Sequence, residues 1–326
     1  MWLRDRWGRQ VTRLRLAVSD RCNFGCVYCC PRPMAAGSGS HALLSPDQIA
    51  VVVGAAVSCG IRTIRLTGGE PLLREELAEI VARIAGAADG LDIAVTTNGS
   101  LLAEHSLPLS RAGLRRVNVS LDTLRPDRFK AITGTVSLEA VLAGLEAAKQ
   151  AGLNPIKLNT VVVRGVNDDE IVELVESARE HGCHPRFIEF MPLDGRRHWR
   201  QDAMVPVDEI RARIEERFAL TPVLGSESPG DEYLLGDGPI RVSLIGALSR
   251  PFCRRCNRLR VTADGFLRSC LFSSEEQDLR PALAAPNPEE ALAAAFRSAA
   301  AQKPLGHRAG EDDFVQPRRS MFAIGG

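Results

Sequence analysis

Residues 13–30 read RLRLAVSDRCNFGCVYCC, an apolar run carrying two arginines that leads straight into four cysteines. The first seven residues, with apolar positions at Leu14, Leu16 and Val18, have the pattern of a β-strand. Cys22, Cys26 and Cys29 then follow with the spacing CxxxCxxC, and Cys30 is directly adjacent. A cysteine loop at the end of a first strand sits at the C-terminal mouth of a parallel sheet, where α/β folds carry out chemistry. Whether this strand belongs to such a sheet depends on what comes next.

Five further strand patterns lie at 63–69, 92–99, 116–122, 156–163 and 185–191, with helix patterns between them. One helix begins at Ser45-Pro46, a capping serine followed by proline at the first helical position. Another, DDEIVELVESAREHG, stops at Gly182. Repeated strand–helix units predict a parallel sheet, doubly wound or barrel-like, and six units fall short of the eight that close a full barrel. After Met191 the alternation breaks into one helix pattern at 207–218, Gly/Pro-rich turns and a hairpin around Asp264-Gly265. The chain divides on this reading into 1–191, a partial barrel with the first cysteine cluster, and 192–326, an extension carrying a second. The stretch 31–45 reads as a loose loop, and the tail from 303 to 326 as polar and irregular.

The 326 residues hold 41 basic and 40 acidic side chains, a net charge of +1 that carries no attraction for nucleic acid or a membrane surface. No apolar stretch is long enough to span a bilayer, and the charged start has no signal-peptide core, so a cytoplasmic protein is expected. In that reducing setting the nine cysteines read as metal ligands or nucleophiles where they cluster. Cys59 and Cys183, alone in helix-like surroundings, read as buried packing groups.

The first cluster offers three sulfur ligands. A zinc site commonly starts CxxC and uses four ligands, and a ferredoxin-type cluster uses four thiolates. Cys30 is a poor fourth, because adjacent side chains in an extended loop point in opposite directions. Three protein ligands on a cube of iron and sulfur leave one iron open, as catalytic metal sites do; a stray zinc or structural thiol site is the bland alternative. The second cluster, Cys253, Cys256 and Cys270, again has three cysteines and no histidine close by in sequence. A structural zinc ribbon wants a fourth, so a second open cluster is the preferred reading.

Basic side chains supply the remaining signal. LRL at 14–16, IRL at 64–66 and IKL at 156–158 each place Arg15, Arg65 or Lys157 between two apolar residues. Where helices cover the apolar face, these cations face the other side, at a cost of several kcal/mol each unless paired. Lys157 is one of four lysines, the other 37 basic residues being arginine. Arg186 joins the same set, and Arg258 and Arg260 share one face of the hairpin strand around Leu259, while Arg254 and Arg255 read as solvated. Converging cations imply a polyanion, most simply a triphosphate.

CxxxCxxC with Tyr28 before its third cysteine resembles the radical S-adenosylmethionine (SAM) superfamily. The matched stretches LRLAVSDRCNFGCVYC, IRLTGGEPLLR, TTNGSLL, GLRRVNVSLDTL, NTVVVRGVND, RFIEFMP, FCRRCNRLRVTADG and SMFAIGG run nearly end to end, and together they resemble the GTP 3′,8-cyclase family (molybdenum cofactor biosynthesis protein A). The resemblance implies an incomplete (β/α)6 TIM-like barrel of the radical SAM type, with the C-terminal extension closing its open side. It implies a lyase converting GTP to (8S)-3′,8-cyclo-7,8-dihydro-GTP, the first step of molybdenum cofactor biosynthesis. Two [4Fe–4S] clusters are implied, held by Cys22, Cys26 and Cys29 and by Cys253, Cys256 and Cys270. Tyr28, Gly69, Ser120 and Met191 would contact SAM. Arg15, Arg65, Thr96, Lys157, Arg186, Arg258, Leu259 and Arg260 would contact GTP, and Gly325 and Gly326 would reach into the site. No catalytic side chain is implied, since the SAM-derived radical does the chemistry. Implied partners are a reductant such as flavodoxin and the downstream cyclic pyranopterin monophosphate synthase, with a homodimer left open. Rival readings are a radical SAM peptide or cofactor maturase and a zinc-stapled nucleotide-binding protein; iron and sulfide analysis separates the last from the others.

Overall fold

The structure, a computed structural model, describes residues 2–29, 42–194, 199–225, 230–311 and 314–325. Cys30, Gly326 and most of the loose stretch 31–45 lie outside the described residues. Six strand–helix units follow in order: β1 (Arg13–Ser19), α1 (Pro46–Ser58), β2 (Thr63–Gly68), α2 (Leu77–Ala85), β3 (Asp92–Thr97), α3 (Leu102–Arg111), β4 (Arg116–Ser120), α4 (Pro126–Thr133), α5 (Leu138–Gln150), β5 (Ile156–Val162), α6 (Ile171–Glu180) and β6 (His184–Glu189). Then come α7 (Val207–Glu215), β7 (Leu220–Pro222), β8 (Asp231–Leu235), β9 (Arg241–Ile245), β10 (Arg258–Val261), β11 (Phe266–Arg268), β12 (Gln277–Asp278), α8 (Arg280–Leu283), α9 (Pro288–Ala301) and α10 (Met321–Ile324).

β1 to β6 pair in parallel in sequence order. Ser45 caps α1 through a reciprocal bond pair with Gln48, with Pro46 at the first turn, which locks the first crossover helix at its start. On the strands the alternation behaves as a sheet covered on one face requires. Leu14, Leu16, Ile64, Leu66 and Leu158 are buried in the apolar core shared with the helices, while Arg15, Arg65 and Lys157 between them face the other way. Each such aliphatic side chain contributes about 1.5–3 kcal/mol by burial. Cys59 and Cys183 are packed in the same core.

The described strands form one sheet in the order β12-β11-β10-β1-β2-β3-β4-β5-β6-β9-β8-β7, so the six-stranded unit is a barrel left open. The C-terminal part does more than cover the opening. It extends the sheet at both edges, β10 pairing in parallel with β1 and β9 with β6. The alternation runs past residue 192, since α7 follows β6, and the sheet hydrogen bonding crosses that position as well. Among the described residues no single helix is long and apolar enough to cross a membrane; α4 and α5 pass only as a pair bent by 96°.

Candidate active site

The strand ends and the C-terminal extension enclose one cavity of about 270 Å³. Its lining includes all six predicted ligand cysteines, together with Tyr28, Gly69, Thr96, Ser120, Met191, Arg15, Arg65, Arg186, Arg258 and Arg260. Residues from positions 15 to 322 of the chain therefore meet around one space. Lys157 and Leu259 are not among the lining residues, and Gly326 lies outside the described residues.

At the mouth, the cysteine loop is moulded by the turn after β2. The Gly69 N–H donates to the Ser19 carbonyl at 2.8 Å and the Glu70 N–H to that of Arg21 at 2.6 Å. A Cβ on Gly69 would lie 2.1 Å from the Arg21 carbonyl oxygen, so only glycine allows this approach. Glu70, 1% exposed, is a hub: Leu72 N–H and Thr97 Oγ1 bond one carboxylate oxygen and Asn98 N–H the other. Burial nevertheless pushes its carboxyl up to about 7, against those bonds. Asn98 Nδ2 faces Cys22 Sγ at 3.9 Å, and Phe24 N–H faces the same sulfur at 3.4 Å. Tyr28 donates its hydroxyl to Asp122, whose other oxygen accepts the Val161 N–H at 2.8 Å; burial raises Asp122 to about 6. The Ser120 hydroxyl has no hydrogen-bond partner among the described residues and lines the cavity.

Deeper in, the register stacks cations side by side. Arg15 pairs across with Arg260 on β10 and with Arg65 on β2, and Arg13 with Arg258 one step below. Among the described residues neither Arg15 nor Arg65 has a hydrogen-bond or ion-pair partner, although both line the cavity. Burial first, and then neighbouring guanidinium groups, disfavour both cations. Burial and Arg258 likewise bring Arg260 down to about 9. Arg258 rests on the Phe252 ring at 4.8 Å, and Arg186 Nη1 reaches Asn159 Oδ1 at 3.5 Å. Arg15 and Arg65, half-buried with no paired acid, form with Arg258 and the buried Arg260 a surface suited to a polyanion.

Two of the expected substrate contacts stand apart from the cavity lining. Leu259 lies in the apolar core, because period-two alternation turns it away from the face that Arg258 and Arg260 share. Lys157 faces Glu232 on β8 at 3.5 Å; burial first and Arg186 next bring its ammonium down to about 8. Gly325 lies beside the cation row without being among the cavity-lining residues: Arg260 Nη1 donates to its carbonyl at 2.5 Å. A Cβ there would lie 2.9 Å from Thr67 Cγ2, at φ +83°. The described part of the tail is thus packed against the site. Arg319 bonds Asp264 at 2.9 Å and Glu276 at 3.0 Å, and Met321 and Phe322 line the cavity.

At the second triplet the fold brings up a histidine that sequence proximity did not suggest. Nε2 of His307 bonds the Ala247 carbonyl at 2.8 Å and Nδ1 faces the Ala309 N–H at 3.2 Å, so neither nitrogen is available to a metal. Lys303, 2% exposed, lines the cavity here as well. Burial would raise the Cys256 thiol, but Lys303 and Arg258 outweigh it and hold it at about 7. Among the described residues no three His, Cys, Asp or Glu side chains converge closely enough to hold one metal ion. Two open triplets of soft sulfur ligands, spread around a shared space, fit iron–sulfur cubes better than mononuclear zinc.

Glu70, Asp122, Asn98 and Lys303 escaped the sequence reading. Lys303 carried a usable signal, being another of the four lysines in an arginine-rich chain. The two carboxylates carried none, because their partners come from other strand ends.

Comparison with known proteins agrees with this architecture. Residues 16–178 match the radical SAM superfamily, and 183–309 match the family described as Molybdenum Cofactor Synthesis C. A GTP 3′,8-cyclase of Streptomyces coelicolor is 45% identical over 99% of this chain and 96% of its own. Another from Moorella thermoacetica is 43% identical over 99% and 100%. Among solved structures, Streptococcus suis SuiB bound to S-adenosylmethionine superposes with a TM-score of 0.60 at 13% identity, over 89% of this chain and 67% of that one, a likeness of fold. The chain belongs to the radical SAM superfamily and, within it, to the GTP 3′,8-cyclase family.

Proposed function

We propose that this enzyme carries out the first step of molybdenum cofactor biosynthesis, GTP to (8S)-3′,8-cyclo-7,8-dihydro-GTP, with SAM and two [4Fe–4S] clusters bound in the one cavity. The observation that supports this most directly is the row of Arg260, Arg15 and Arg65, cations with no acid beside them, lining the same cavity as two incomplete cysteine triplets. When bound, a reduced cluster with SAM supplies a 5′-deoxyadenosyl radical able to take hydrogen from the ribose 3′ carbon.

The chain's own residues bind, orient and exclude water. Cys22, Cys26 and Cys29 would hold the first cluster, and the Gly69 turn, Ser120, Tyr28 and Met191 would hold SAM. Gly69 spends its N–H on Ser19, so its carbonyl is the group left for the SAM ammonium. The free Ser120 hydroxyl suits the SAM carboxylate. Arg15, Arg65, Arg186, Arg258 and Arg260 clamp the triphosphate, with Thr96 alongside; Lys157 joins on release from Glu232. Cys253, Cys256 and Cys270 would hold a second cluster, which would supply an open coordination position for the guanine base. Gly325 fixes the Arg260 guanidinium through its carbonyl. Fixing the ribose against the radical source is the whole catalytic demand on the protein.

We further propose a flavodoxin-type electron donor, hand-over to a cyclic pyranopterin monophosphate synthase, and a cytoplasmic setting. Anaerobic incubation with SAM, GTP and dithionite tests the reading. It predicts 5′-deoxyadenosine and a guanosine-derived product together, and 5′-deoxyadenosine without a new GTP product contradicts it. Metal analysis should give about eight irons per chain; bound zinc without iron contradicts both clusters.

A further inference from the structure

We propose that Lys303 is a positioning residue that supplies the counter-charge of the second cluster, an inference that rests on reading Cys253, Cys256 and Cys270 as cluster ligands. Its Nζ donates to the Arg258 carbonyl at 2.8 Å and to the Ser269 carbonyl at 2.7 Å. The Cys256 side chain lies close enough to feel its charge. Two of the three donors of the ammonium are thereby spent on backbone carbonyls. The two carbonyls belong to opposite arms of the β10–β11 hairpin: Arg258 follows Cys256 by two residues, and Ser269 immediately precedes Cys270. One cation thus sets the separation of two ligand cysteines.

Lys303 has no carboxylate partner among the described residues, and it is 2% exposed. A buried ammonium without an acid is costly unless an anion faces it, and the anion available is the thiolate set. The surrounding segment is clasped around the same site. Arg9 bonds the carbonyls of Cys253 at 2.5 Å and Pro304 at 2.6 Å, and His307 is tied to Ala247. A fixed positive charge beside a cluster favours its reduced, more negative state and so raises its potential. None of the GTP or SAM contacts proposed above involves Lys303.

The test is a redox titration of the reconstituted holoenzyme followed by electron paramagnetic resonance, with iron counted in parallel. Lys303→Met should keep about eight irons while one of the two cluster potentials moves to a more negative value and the other stays. Lys303→Gln, which keeps an N–H donor for the carbonyls but no charge, should show the same shift and carries the test where Lys303→Met does not fold. Lys303→Arg should restore the potential toward wild type. Unmoved potentials in a neutral variant with both clusters present overturn the proposal, as does a shift in Lys303→Arg as large as that in Lys303→Gln. Wild-type protein holding only about four irons overturns the second cluster itself, a failure separate from that of Lys303.

Discussion

Arg65→Met should make the protein more stable and a poorer binder of GTP at once. In the folded chain Arg65 is half-buried without an ion-pair partner, and Arg186, Arg116, Arg258 and Arg13 all add repulsion. Methionine keeps much of the side-chain volume and removes both penalties. Replacing buried charges by apolar groups of similar size stabilises by roughly 1–4 kcal/mol. Arg65 still touches the cavity, so the low end, about 1 kcal/mol, is expected, which raises the melting temperature by roughly 2 °C in a chain of this size. On the ligand side, a charge-assisted hydrogen bond contributes about 1.5–3 kcal/mol, and at 1.36 kcal/mol per decade its loss weakens GTP binding by about 10- to 150-fold. Thermal melts of the variant, together with equilibrium GTP binding to the anaerobic holoprotein, read both numbers. Guanosine, lacking phosphates, should bind the variant and the wild type alike. A lower melting temperature with GTP affinity within about twofold of wild type would refute the argument that this cation is held unpaired for a polyanion.

Glu70 should make stability fall as pH rises. Its folded carboxyl lies near 7, above the ordinary 4.5, so its contribution is full below 4.5 and is lost between 4.5 and about 7. Glu70→Gln should flatten the urea-midpoint profile over that window, and an unchanged slope contradicts the assignment. Gly69→Ala pushes a methyl against the Arg21 carbonyl, an overpacking cost of about 1–3 kcal/mol. It should lower SAM affinity more than tenfold on that scale, with GTP affinity preserved; normal SAM binding in isothermal titration counts against the turn. Removing residues 325–326 takes away the acceptor on Arg260. It should abolish cyclisation while leaving both clusters' absorbance, and undiminished turnover removes the tail from the mechanism.

Much was legible in the chain because its signals are local. The strand at 13–19 and the Ser45-Pro46 helix start appear at those same residues in the structure, since alternation and capping are properties of neighbouring residues. The cation between two apolar residues on β1, β2 and β5 also told which face it occupies. That rule applied equally to Leu259, whose side chain it turns into the apolar core.

What sequence alone determined, then, is composition by face: which side chains are apolar and covered, which are cationic and not, and where three thiols recur. Tertiary structure decided who meets whom. It split the extension between both edges of the sheet, placed Arg260 beside Arg15, and set Glu232 against Lys157. It drew Glu70 under Asn98 and Lys303 over Cys256. Those pairings join residues up to some 245 positions apart in the chain. No local propensity encodes such contacts; they arise only when strand register and sheet closure bring distant segments to the same level.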